Sequence, residues 1–149
     1  MNKYIALCFA IVTFASAAVY SAEEKANREY LEMDPDFVER FAQEWVDDWN
    51  AHDLDRILSH YEDDFEMSSP AIKNIYGEPS GKLKGKDAIG EYWRLALERN
   101  PTLRFELLHV LVGSQSITLI YNGARGLSAE TFVFSTSGKV SSAFAHYKQ

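Results

Sequence analysis

Two places in this 149-residue chain hold side chains that could move protons. The stretch YEDDFEMSSP, residues 61–70, places Glu62, Asp63, Asp64 and Glu66 within five positions and follows them with Ser68, Ser69 and Pro70. Paired carboxylates are the usual equipment of general acid–base catalysis. In SAETFVF, residues 128–134, Glu130 shares strand parity with Phe132 and Phe134, so period-two alternation sets a carboxyl beside two aromatic rings. Such an acid holds its proton more tightly and could serve as a general acid or hydrogen-bond donor. The alternative is a rim position, with Glu130 paired to Arg125 or Arg104.

The histidines offer less. His109 shares parity with Phe105, Leu107 and Leu111, which makes it either a pocket base or a satisfied core or interface residue. His52 falls in a turn between two predicted helices and His60 near the end of the second, both at the surface. No His-x-x-x-His pair occurs, and His52 and His60 have no third ligand implied, so no metal is expected. Neither a G-x-S-x-G elbow nor a phosphate or dinucleotide loop is present, and no cofactor is expected. The lysines of GKLKGK read as a solvated loop.

The elements that must position these groups follow from periodicity. Asp34 is a good N-cap and Pro35 a good first helical residue. Val38, Phe41, Ala42, Trp45, Val46 and Trp49 then recur at helical spacing, which predicts an amphipathic helix ending near residues 50–52. Asp53 starts a shorter helix bearing Leu54, Ile57, Leu58 and Tyr61, with the acids 62–64 expected to stop it. Phe65 to Ser69 suits a short strand, and the glycines and prolines of 71–85 suit a long loop, with room for a brief hairpin. A third helix is predicted from Lys86 to Arg99, then strands over 103–112, 116–123, 127–135 and 140–147. This order predicts an α+β domain, an antiparallel meander with helices on one face.

The whole chain sets the boundaries. Residues 1–22 place one charge, Lys3, before an apolar run and then Ala15, Ser16, Ala17 and Ala18, the order of a secretory signal with cleavage after Ala17 or by Ala22. Residues 23–34 read as a flexible lead-in and 35–149 as the domain, in a secreted or periplasmic protein. Cys8, the single cysteine, would leave with the signal, so the domain rests on its core. Loss of Lys3 takes the net charge from −7 to −8, which speaks against nucleic acid and anionic membranes as partners.

The tail WNAHDLDRILSHYEDDFEMSSP, the GKLKGKDAIGEYW segment and the closing aromatic strand together resemble the SnoaL-like family of the nuclear-transport-factor-2-like superfamily. The resemblance covers about residues 37–147. It implies a curved antiparallel sheet wrapped around a long N-terminal helix, a cone-shaped barrel with three helices and a pocket for a small, largely apolar or polyketide-like molecule. It also implies a homodimer through the outer sheet face. Matched to a ketosteroid isomerase, the base position falls at Ser69, the first-helix tyrosine at Trp45 and the protonated acid at Glu130. A serine without an adjacent base cannot take a proton from carbon, so that chemistry is not expected. The resemblance turns Ala143, Ala145 and Tyr147 inward and His146 outward. The expected pocket is Trp45, Trp49, Tyr61, Phe65, Ser69, Tyr92 or Trp93, Tyr121, Phe132 and Tyr147. These readings describe a binding or accessory module without a complete catalytic set. The alternatives are a cofactor-free cyclase, isomerase or dehydratase using Glu130 with Tyr147 or His109, and a homodimeric structural or interaction module.

Overall fold

The computed structural model describes residues 33–149. The signal-like segment 1–22 and the lead-in as far as residue 32 lie outside the described residues. Helix α1 spans Pro35–Ala51 and starts as its sequence demands: the Asp34 carboxylate accepts from the Asp36 N–H at 3.0 Å, and Pro35 fills the first turn. After α2 (Leu54–Ser59) come β1 (Tyr61–Ser68), α3 (Pro70–Ile75), β2 (Lys82–Lys84) and α4 (Lys86–Arg99). Strands β3 (Glu106–Gly113), β4 (Ser116–Gly123), β5 (Gly126–Phe134) and β6 (Val140–Tyr147) complete an α+β domain.

Three expectations need correction. The segment read as loop holds both α3 and β2, because Ser69 caps α3 with its own hydroxyl and Pro70 opens it. The described residues therefore contain four helices, not three. The sheet runs β2-β1-β6-β5-β4-β3, open rather than closed into a barrel, and β1 lies parallel to β6 while every other pair is antiparallel. Period-two alternation reports which face a residue takes and carries no information on strand direction, so the parallel pair was not legible in it. Lastly, the acids 62–64 do not end α2; they lie within β1, where the register with β6 shifts between Tyr61 and Glu66.

That shift turns the acids outward. Glu62 accepts from Ser135 Oγ at 2.6 Å and Ser137 Oγ at 2.5 Å, and Lys86 and Lys84 each lie 2.9 Å from Asp63 and Glu66. Hydrogen bonds from the serines hold the Glu62 carboxyl below its usual range, and the lysines do so for Asp63 and Glu66. These are ionised surface groups with partners.

The inner face is a ladder of rings. Along β5 the buried side chains are Ser128, Glu130, Phe132 and Phe134, while α1 runs past them with Phe41, Trp45 and Trp49. Phe41 meets Phe134 and Phe132 edge-on at 4.9 and 5.1 Å, and Trp45 packs on Phe132 at 5.3 Å. One end of the domain is thus filled solidly with aromatic side chains, and the fill stops where β5 reaches Glu130.

The tail of α1 is held by two side-chain clamps. Asn50 acts as a piece of strand: its Nδ2 donates to the Phe105 carbonyl at 3.0 Å, and its Oδ1 accepts the Phe105 N–H at 2.7 Å. His52 Nε2 lies 2.8 Å from the Leu103 carbonyl, which can only accept, so that nitrogen carries the proton. His60 is likewise not a plain surface residue; its Nε2 is 2.8 Å from the buried Asp48, which Arg56 also contacts at 2.6 Å. Asn50→Ala should lower stability by about 2 kcal/mol, since it strands two backbone groups of Phe105. Urea unfolding of the variant measures this, and a midpoint shift within error of zero would refute the clamp.

Candidate functional site

Beyond Glu130 the rings give way to a cavity of about 520 Å³, lined chiefly by α1, α3, α4 and strands β1, β4, β5 and β6. Trp49, Trp93, Tyr121, Glu130 and Tyr147 of the expected residues reach it, and Tyr92 lines it as well. Trp45, Tyr61, Phe65 and Phe132 do not; each is at most 1% exposed and belongs to the solid core behind the cavity. The indole N–H of Trp45 is already spent, donating to the Tyr61 hydroxyl at 2.9 Å. Ser69 sits one bond behind the wall, its Oγ accepting from the Ala71 N–H and lying 3.1 Å from the Tyr147 hydroxyl. It is a helix cap that steadies a pocket tyrosine.

His109 has to be withdrawn as a pocket base. Leu107 pairs with Tyr121 but His109 with Ile120, so a bulge between them reverses the alternation and leaves the imidazole exposed on the edge strand. His146 is exposed, as the inward turn of Ala143, Ala145 and Tyr147 requires.

Glu130 is buried at 5% exposure, and the Tyr121 hydroxyl donates to its Oε2 at 3.3 Å. Burial pushes the carboxyl up to about 7, an effect the Tyr121 bond only partly offsets. It is therefore close to half-ionised at neutral pH, poised to take or give a proton. Burial also raises the phenols of Tyr121, Tyr92 and Tyr147. They stay protonated and act as hydrogen-bond donors, leaving Glu130 as the sole base on this wall.

The wall itself depends on close approach. Phe105 stacks on Trp45 at 5.4 Å and 8°, and a Cβ at Gly123 would meet the Phe105 ring at 3.0 Å. A larger residue at 123 would displace the ring that Asn50 positions. Arg99, Arg125, Asn74 and Asn100 supply polar lining that the sequence did not identify as pocket. The signal available for Arg125 was its turn, which joins two strands whose inward faces end at Tyr121 and Ser128. Among the described residues no group of three or more His, Cys, Asp or Glu side chains could hold a metal ion, and no helix is long and apolar enough to cross a membrane.

Residues 42–145 match the SnoaL-like domain model, and the chain belongs to this family. It includes cyclases and isomerases as well as proteins of unknown function. A SnoaL-like protein of unknown function from Burkholderia thailandensis is 51% identical, with 78% of this chain and 98% of that one covered at a TM-score of 0.75. SalBIII, an epoxide hydrolase/cyclase-like enzyme of pyran-ring formation in the polyether salinomycin, shares the fold at 14% identity and a TM-score of 0.60, over 78% and 94% of the two chains. TerC, co-crystallised with polyporic acid, does so at 15% and 0.61, over 75% and 92%. No curated protein matches the chain.

Proposed function

We propose that this protein binds a small molecule with a largely apolar body and transfers a proton to or from it without a cofactor, with Glu130 as the acid or base. The carrying observation is a single buried carboxyl, raised to about 7, on the wall of a cavity rich in aromatic rings. Tyr92 and Tyr147 would donate hydrogen bonds to a developing oxyanion, a role that suits phenols kept protonated by burial, while Tyr121 keeps its donor on Glu130. The cyclase-like SalBIII and the polyporic acid complex of TerC, both of this fold, fit such a ligand.

The test uses 5-nitrobenzisoxazole, whose ring opens when a base removes its one acidic C–H proton. The C–H electrons form the nitrile, the N–O bond breaks, and a coloured phenolate leaves. The wild-type protein should accelerate this reaction and Glu130→Gln should not. Equal rates for the two would defeat the proposal.

Binding without turnover is the second reading. It draws support from Ser69 and Trp45, whose polar atoms are committed to a helix cap and to Tyr61 rather than to a ligand. A homodimer through the outer sheet face belongs to the same proposal. The register aligns Leu111, Thr118, Thr131 and Phe144 across that face, with Leu111 54% and Phe144 41% exposed. Sedimentation of the wild type at twice the monomer mass, and of Leu111→Lys as a monomer, is expected; a monomeric wild type removes this part.

A further inference from the structure

Two arginines stand at the mouth of the cavity in a chain where acids outnumber basic residues 22 to 15. Arg125 lies in the β4–β5 turn with its guanidinium 5.4 Å above the Tyr147 ring. Arg99 ends α4, and its Nη1 donates to the Asn74 carbonyl at 3.3 Å. Among the described residues neither has a carboxylate within salt-bridge reach, a state they share with Arg40, Lys73, Lys82, Arg104, Lys139 and Lys148 but not with Arg56, Lys84, Lys86 or Arg94. A C-terminal turn is a favourable place for Arg99 in any helix. Arg125 instead sets its guanidinium over a tyrosine of the cavity wall.

The two ends of the cavity thus differ in sign. Glu130 forms the inner end, and an anion placed against its ionised form would meet a like charge. Guanidinium groups at the outer end present planar, paired N–H donors that match a carboxylate. From Gly126 at the turn to Glu130 is four strand residues, roughly 13 Å, enough for an apolar body between the two. The field of Arg125 is felt inside as well, since its charge favours the ionised forms of Tyr147 and Tyr92 against the larger effect of burial.

We propose that the ligand is an organic anion, whose apolar body enters toward Glu130 while a carboxylate or similarly acidic oxygen is held at the mouth by Arg125 and Arg99. This rests on the reading of the cavity as a ligand site and adds the ligand's charge and direction of entry. Selection of an anion also fits the protein's negative charge: the two guanidiniums supply the local attraction that the rest of the surface opposes.

Calorimetric titration with 2-naphthoate and its neutral analogue 2-naphthamide tests the idea. The wild type should bind the acid at least about tenfold more tightly than the amide, the equivalent of one charge-assisted hydrogen bond. Arg125→Gln combined with Arg99→Gln should erase that preference, weakening the acid at least about tenfold more than the amide; both side chains are exposed, so the fold should be retained. Added salt should weaken the acid only. Equal binding of acid and amide by the wild type, or undiminished acid binding by the double variant, overturns the anion proposal while the pocket stands. Failure of both probes to bind the wild type overturns the cavity reading and this inference with it.

Discussion

Glu130→Gln is expected to lower ring opening of 5-nitrobenzisoxazole by about a hundredfold or more, the usual worth of a positioned general base. In the wild type the rate should rise with pH through a midpoint near 7, where the carboxyl loses its proton and becomes the active base. Glutamine keeps the shape and can still accept from Tyr121, so loss of rate would report loss of the base rather than collapse of the wall.

The same residue makes an opposite prediction for stability. Its pKa is raised from 4.5 to about 7 on folding, so the folded state holds a proton that the unfolded chain has released between those values. Stability from this group is fully present below about 4.5 and is lost as pH rises through 7. The difference is roughly 3 kcal/mol. Denaturant midpoints from pH 4.5 to 8 should therefore fall for the wild type relative to Glu130→Gln, with the variant the more stable at pH 8. Parallel curves would mean that the carboxyl is not buried as described. Activity and stability run against each other across one pH window, which is what a desolvated base costs its host.

The second large effect lies behind the pocket. Trp45→Ala should cost about 4 kcal/mol, since it empties a fully buried site bounded by Trp49, Phe105, Tyr121 and Phe132. That is a large share of the 5–15 kcal/mol typical of a domain. Trp45→Phe and Tyr61→Phe separate packing from polarity. Each alone strands one buried partner of the 2.9 Å bond, and the pair together strands neither. The double variant should therefore be about 1–2 kcal/mol more stable than the sum of the singles implies, by equilibrium unfolding. Strict additivity would show that the bond contributes nothing beyond ring packing.

What the sequence revealed of this architecture follows its periodicities. Helical spacing placed Trp45 and Trp49 on one face, and strand alternation placed Glu130 with Phe132 and Phe134; both hold because those elements are regular. Tyr147 was legible only through the family resemblance, which fixed the inward face of β6. His109 failed because one bulge reverses all later parity in a strand, and no residue type announces a bulge there. Separating cavity-lining rings from core rings was beyond reach as well. Trp45 and Trp49 are one helical turn apart with the same pattern, and only the extent of the packing beyond Glu130 decides which meets the void. Asn50 was hidden for another reason: its clamp on Phe105 spans distant parts of the chain and follows no local rule.

The parallel pairing of β1 with β6 has a consequence in time. Met67 aligns with Ala143 and Ser68 with Phe144, so a strand made early on the ribosome waits for the last one before its inward edge is hydrogen-bonded. Helices α1, α2 and α4 can form as they emerge, but the wall carrying Met67 cannot join the one carrying Tyr147 until residues 140–147 have been made. Such distant pairings are closed late and slowly, because loop entropy must be spent before the contact is gained. The cavity is therefore complete only once β6 has joined the sheet.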